Sequence, residues 1–195
     1  ITSNANAIVI PEGPVLTYGS LRDQVDQTAE TLASLGVRRG SVVSMSLGNS
    51  LEFLVTFLAV ARAGGVAAPL NPQYTAEEFQ FYMEDASPVL TLLPPGPHQA
   101  RKASGELRVP VVEVVSDVNG SVRLKSVGFE ISTRKDPVPP MVEDIALFLH
   151  TSGTTSRPKG VPLTHGNLLA SVKNIRETYL LTPDDVAMVV MPLFH

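Results

Sequence analysis

The run from His150 to Gly160 reads His-Thr-Ser-Gly-Thr-Thr-Ser-Arg-Pro-Lys-Gly. Thr151, Ser152, Thr154, Thr155 and Ser156 bring five hydroxyls around Gly153, and Lys159 and Gly160 stand at the exit. This is the chemistry a polyphosphate requires. Glycines let main-chain N–H groups turn inward, hydroxyls donate to phosphoryl oxygens, and an ammonium offsets charge. Glycine, serine and threonine also build ordinary turns, so two glycines alone would mark nothing more than a turn. Five hydroxyls and a lysine in one short loop favour an anion. The arrangement differs from a Walker loop, because Lys159 precedes the closing Gly160 and Val161-Pro162-Leu163 reads as extended chain rather than a helix start. A helix pattern begins only at Thr164. Two strand-like arms are therefore expected, with anion affinity from a backbone nest rather than a helix dipole. No Gly-x-Gly-x-x-Gly dinucleotide fingerprint accompanies it.

Four histidines are present. His98 lies in a proline-flanked loop, His150 ends a strand pattern and His165 falls in a first helical turn, so all three read as structural. His195 closes the run Pro192-Leu193-Phe194-His195. An imidazole there is either a donor for an anionic substrate or a cap on a strand end.

The loop must be held by alternating strands and helices. Thr17 caps a helix over Tyr18–Leu35, with Leu21, Val25, Thr28, Ala29 and Leu32 at helical spacing, stopping at Gly36. Val42–Leu47 reads as a strand, and Ser50 caps an apolar helix that ends at Gly64-Gly65. Val66–Leu70 is a buried strand. Thr75 and Glu78 form a capping box for a helix through Asp85. Val89–Leu93 and Val109–Val115 are strands, and Asp117–Gly120 turns into a weaker one at Ser121–Lys125. Residues 128–140 are polar and proline-rich, a flexible connector. A strand at Ile145–Leu149, the loop, a helix over Thr164–Tyr179 and a strand at Val186–Met191 complete the chain. This alternation predicts an α/β fold with a mainly parallel sheet covered by helices on both faces.

With 195 residues the chain can bury a real core as one unit. A formal charge of -4 argues against nonspecific nucleic-acid binding. The absence of cysteine excludes disulfides, thiol catalysis and zinc–thiolate sites from these residues. The most apolar stretch, Leu51–Ala61, contains Glu52, precedes Arg62 and is too short to span a bilayer. The chain starts at isoleucine without a signal-peptide pattern, so the natural amino terminus is expected upstream. A buried strand running into Pro-Leu-Phe-His with nothing behind it suggests a piece of a longer protein.

Taken together, the loop and the last four residues resemble the adenylate-forming superfamily of acyl-CoA synthetases, luciferases and peptide-synthetase adenylation domains. Its phosphate loop reads Ser/Thr-Ser-Gly-Ser/Thr-Thr-Gly-x-Pro-Lys-Gly, and Thr151–Gly160 departs from it only at Ser156. Pro192–His195 is similar to the superfamily's next motif, which ends on an aromatic or histidine gate. Thr17-Tyr18, Gly64–Asn71 and Tyr74–Phe79 agree as well. Within the superfamily, His150–Leu163, Ala68–Phe79 and Ser171-Val172-Lys173-Asn174 are most similar to the oxalate–CoA ligases of plants and fungi.

The resemblance implies that residues 1–195 are the amino-terminal part of the large AMP-binding domain, with the carboxy-terminal subdomain absent. A small carboxylate, with oxalate foremost, would attack the α-phosphorus of ATP, and CoA would then displace AMP to give a thioester. Thr151, Ser152, Gly153, Thr154, Thr155, Ser156, Lys159 and Gly160 would bind the nucleotide phosphates. His195 would sit catalytically between nucleotide and acyl pockets. Magnesium, adenine and CoA ligands, and the mobile domain's lysine, would lie beyond residue 195, so residues 1–195 alone should not adenylate. The partners implied are the acid, ATP, CoA and the remainder of the chain, with no nucleic acid and no membrane span, in cytoplasm or peroxisome. Alternatives are an adenylation domain loading a carrier protein, a ligase for cinnamate-type, fatty or amino acids, or a noncatalytic nucleotide-binding module.

Overall fold

Every helix opens where a side chain accepts one of its free amides. In the computed structural model, which describes residues 2–129, 136–151 and 158–194, Thr17 accepts from the Ser20 amide and starts α1, Tyr18–Ser34. Ser50 accepts from Phe53 at the head of α2, Leu51–Arg62. Thr75 and Glu78 complete a reciprocal capping box before α3, Ala76–Ala86. His98 caps α4, Gln99–Leu107, and Thr164 with Asn167 caps α5, His165–Thr178. Past the end of α2, Gly64 takes φ +76°, a left-handed conformation that costs glycine least.

The strands are β1 (Asn6–Val9), β2 (Val15–Thr17), β3 (Val42–Met45), β4 (Val66–Pro69), β5 (Leu90–Leu93), β6 (Val111–Ser116), β7 (Val122–Ser126), β8 (Ile145–Thr151) and β9 (Lys159–Thr164). β1 and β2 form a separate antiparallel pair. The other seven make one sheet in the order β7-β6-β5-β3-β4-β8-β9. Its interior ladders, β3–β4, β3–β5, β4–β8 and β5–β6, are parallel, whereas β7 and β9 close the two edges antiparallel. The mainly parallel α/β sheet is therefore present.

Side chains alternate across this sheet and feed two cores. Val43, Met45, Leu90, Leu92, Val112 and Val114 point to the side where α1 and α2 bring Ala29, Leu32, Val55 and Val60. On the other face α3 and α4 bury Phe79, Met83, Ala100 and Ala103 against Leu70 and Leu93. The buried hydroxyls on that second face satisfy one another: Ser44 donates to Thr91 Oγ1 at 2.8 Å, and Ser104 does so at 3.4 Å. Helices thus cover both faces.

Four features depart from the sequence reading. The β1–β2 hairpin and α4 were not foreseen, because one is short and half-buried and the other buries only Ala100, Ala103 and Ser104. The strand expected at Val186–Met191 is not formed: the segment is irregular, and Val186 is 92% and Met188 86% exposed. An apolar run becomes a strand only where a neighbour offers a ladder, and no strand among the described residues pairs with this one. Finally, α5 forms as expected but leaves Leu169, Val172, Ile175 and the following Tyr179 exposed.

Candidate functional site

The two arms expected around the hydroxyl-rich loop are β8 and β9. They pair antiparallel, with His150 opposite Gly160 and Thr151 opposite Lys159 as the last rung. Pro162 is tolerated in β9 because this strand lies at the sheet edge, where a missing N–H costs no ladder bond. Thr151, Lys159 and Gly160 are all exposed at the hairpin root. Among the described residues no carboxylate pairs with the Lys159 ammonium. Ser152, Gly153, Thr154, Thr155 and Ser156 lie outside the described residues, so their expected role is neither supported nor opposed by geometry.

The root leans against α3. His150 Nε2 stands 2.8 Å from Asp85 Oδ2. The imidazole packs on Tyr82, ring centres 4.7 Å apart, and edge-on to Phe148 at 5.0 Å. Across the rung, Gly160 has no room for a side chain: a Cβ there would overlap the Phe148 ring and reach 3.2 Å from Asp85 Oδ2. Glycine at 160 is thus required by close packing rather than by backbone angle. The sequence reading of His150 as a plain strand end missed this attachment, which no local pattern could signal because Asp85 is 65 residues away.

The second motif, Pro192–His195, is anchored by a residue that sequence reasoning overlooked. Asn49 donates from Nδ2 to the Met191 carbonyl at 2.9 Å and accepts from the Leu193 amide at 2.8 Å. Leu193 and Phe194 pack against the core. Asn49 sits in the Gly48–Ser50 turn just past the carboxyl end of β3, beside a cleft of about 390 Å³ lined by Leu47, Glu52, Pro94 and Val115. β3, β4 and β8 run parallel and side by side. Residues 191–194, held by Asn49 past β3, and the end of β8 therefore both follow the carboxyl edge of this sheet. In parallel sheets that edge is where ligands bind. His195 lies outside the described residues.

The remaining histidines are structural here. His98 accepts from the Ala100 amide through Nδ1 at 3.2 Å, leaving its proton on Nε2, 3.4 Å from Ser46 Oγ. Burial, then the Arg101 charge, pulls its pKa below the usual imidazole value. His165 opens α5, where its amide donates to the Asp144 carbonyl at 2.9 Å. Asp144 in turn is held below the ordinary carboxylate range by the Arg39 guanidinium, 2.7 Å away, and by the Met141 amide. Tyr74, beneath Tyr82, is pushed up to about 12 mainly by burial.

Among the described residues no cluster of three or more His, Asp or Glu side chains is arranged to hold a metal. No helix among them is long and apolar enough to cross a membrane.

The chain is similar to proteins already known. The oxalate–CoA ligase of Arabidopsis thaliana is 45% identical over 92% of this chain and 36% of its own length. A probable CoA ligase, CCL9, of Humulus lupulus is 43% identical over 99% of the chain and 38% of its own. Among solved structures, ATP-bound MatB from Rhodopseudomonas palustris superposes with a TM-score of 0.80 at 28% identity, covering 99% of this chain and 38% of that one. The o-succinylbenzoate CoA synthetase of Bacillus subtilis with its acyl-adenylate intermediate gives 0.78 at 26% identity, covering all of this chain and 48% of that one. The chain thus spans little more than a third of the curated relatives it matches. The family described as AMP-binding enzyme matches residues 2–195, all but the first residue, and the chain belongs to it.

Proposed function

We propose that these residues are the amino-terminal part of an AMP-forming acid–CoA ligase whose acid is oxalate. The observation that carries the reading is the β8–β9 hairpin, which exposes Thr151 and Lys159 as one rung at the mouth of the hydroxyl-rich loop. The ATP-bound and acyl-adenylate-bound relatives support the same two-step chemistry, and the oxalate–CoA ligase likeness supports the acid.

A carboxylate resists attack at neutral pH because it is anionic and oxide leaves poorly. Adenylation changes the leaving group. The acid's oxygen attacks the α-phosphorus of ATP, pyrophosphate departs, and the CoA thiol then displaces AMP from the acyl carbon. Such transfer asks the protein mainly for positioning and charge stabilisation. In our reading Thr151, Ser152, Gly153, Thr154, Thr155 and Ser156 wrap the β- and γ-phosphates, Lys159 offsets their charge, and Gly160 lets the hairpin close on α3. His195, carried by the segment that Asn49 anchors, holds the acid's anionic oxygen. No group of three or more His, Asp or Glu side chains among the described residues is arranged to hold magnesium. CoA and the acid complete the partners, together with the rest of the chain. Residues 128–140 serve as the connector, and the protein acts in cytoplasm or peroxisome.

The test is a screen of the full-length protein with ATP, CoA and a panel of acids, reading AMP release and thioester formation. Oxalate is expected to give the highest kcat/KM, and Lys159→Ala to lower it by at least tenfold. A preference for a cinnamate-type or fatty acid would overturn the substrate, and no AMP release with any acid would overturn the ligase reading.

A further inference from the structure

The parallel sheet meets the hairpin on one side, where β8 lies beside β4. β8 is registered to β4 through a single pair, Ala67 with Leu147. From Leu147 to Thr151 the strand runs on for about 13 Å at ordinary rise, laddered to β9 as far as Thr151. Beyond β9 no strand among the described residues continues the sheet, so the hairpin's outer arm depends on β8 and on what packs on its face. On one face the hairpin meets α3. His150, its side chain only 5% exposed, meets the half-exposed Asp85 at 2.8 Å. Tyr82 and Phe148 confine the ring, and Gly160 lets the Asp85 carboxylate approach the opposite strand. Because a carboxylate only accepts, Nε2 must carry the proton. Nδ1 has no partner among the described residues, and the contact with Asp85 sets the tautomer.

We propose that the His150–Asp85 pair is a clamp that fixes the hairpin root on α3 and so sets where Thr151 and Lys159 meet the nucleotide's phosphates. The proposal rests on the ligase reading above and makes Asp85 and His150 positioning residues, not catalytic ones. A buried donor deprived of its charged acceptor leaves the hairpin free to shift, and small shifts of a phosphate-binding group weaken binding steeply.

The experiment uses the full-length protein and its Asp85→Ala, Asp85→Asn and Glu84→Ala variants, the last altering the same helix away from the clamp. KM for ATP, KM for CoA and kcat are measured, with equilibrium ATP affinity and a thermal melt alongside. Asp85→Ala is expected to raise KM and Kd for ATP about tenfold while KM for CoA stays within twofold, and Asp85→Asn, which keeps an acceptor, to restore most of the loss. Unchanged ATP affinity in Asp85→Ala would overturn the clamp. So would an equal loss in Glu84→Ala, or parallel rises for ATP and CoA, which mark a merely structural role. A wild type that forms no thioester from any acid sinks the ligase reading instead, and the equilibrium ATP affinities then still decide the clamp.

Discussion

His98 is a residue whose job fixes its charge. It caps α4 through an unprotonated Nδ1, and burial lowers its pKa. An imidazole with a depressed folded pKa binds protons more readily in the unfolded chain, so its contribution is complete above the ordinary histidine pKa and is lost as pH falls. The window opens near pH 6.5. Urea denaturation at pH 7.5 and pH 5.0 is expected to show a lower midpoint at the acidic pH, and His98→Asn, a good cap without a titrating ring, to shrink that difference. An unchanged difference would show that other groups carry it. The same residue shows how far sequence reading reaches: its structural role was legible from its proline-flanked setting, but not its cap. Asn49 and Asp85 were invisible for a plainer reason, since their partners stand 142 and 65 positions away.

Elements were legible where local chemistry is self-contained. Thr17, Ser50 and Thr75 each announce a helix and each caps one. Thr75 does so with Glu78, whose carboxylate accepts from the Thr75 amide at 2.8 Å while Thr75 Oγ1 accepts from the Glu78 amide at 3.2 Å. Thr75→Ala is expected to cost about 1 kcal/mol of stability, read as a shift of the chemical-denaturation midpoint, and Thr75→Ser to recover most of it. A loss several times larger would mean that the box also orients α3 for the hairpin. Elements that depend on a distant neighbour were read less well. The apolar stretch at 186–191 has strand composition, but no strand among the described residues pairs with it. α4 was missed because small residues, Ala100, Ala103 and Ser104, bury it without a bulky apolar stripe.

At the scale of the molecule, the sheet's two covered faces contrast with two exposed apolar stretches, α5 and residues 186–191. Leu169 is 61%, Val172 63%, Tyr179 72% and Val190 74% exposed, and Val172, Ile175 and Tyr179 fall at helical spacing. Exposed apolar surface of this kind drives association in water. The helix is well capped and spaced for burial, so the missing term is a covering surface rather than helix stability. Residues 1–195 expressed alone are therefore expected to bind an apolar dye such as ANS strongly and to self-associate with rising concentration, as sedimentation velocity would record. They should also give no ATP–pyrophosphate exchange. The pair Val172→Lys and Ile175→Glu, exposed positions on a helix that tolerates both residues, is expected to reduce dye binding and association while circular dichroism keeps the helix content. If residues 1–195 stay monomeric and bind no dye, these stretches are self-sufficient in solution and need no cover.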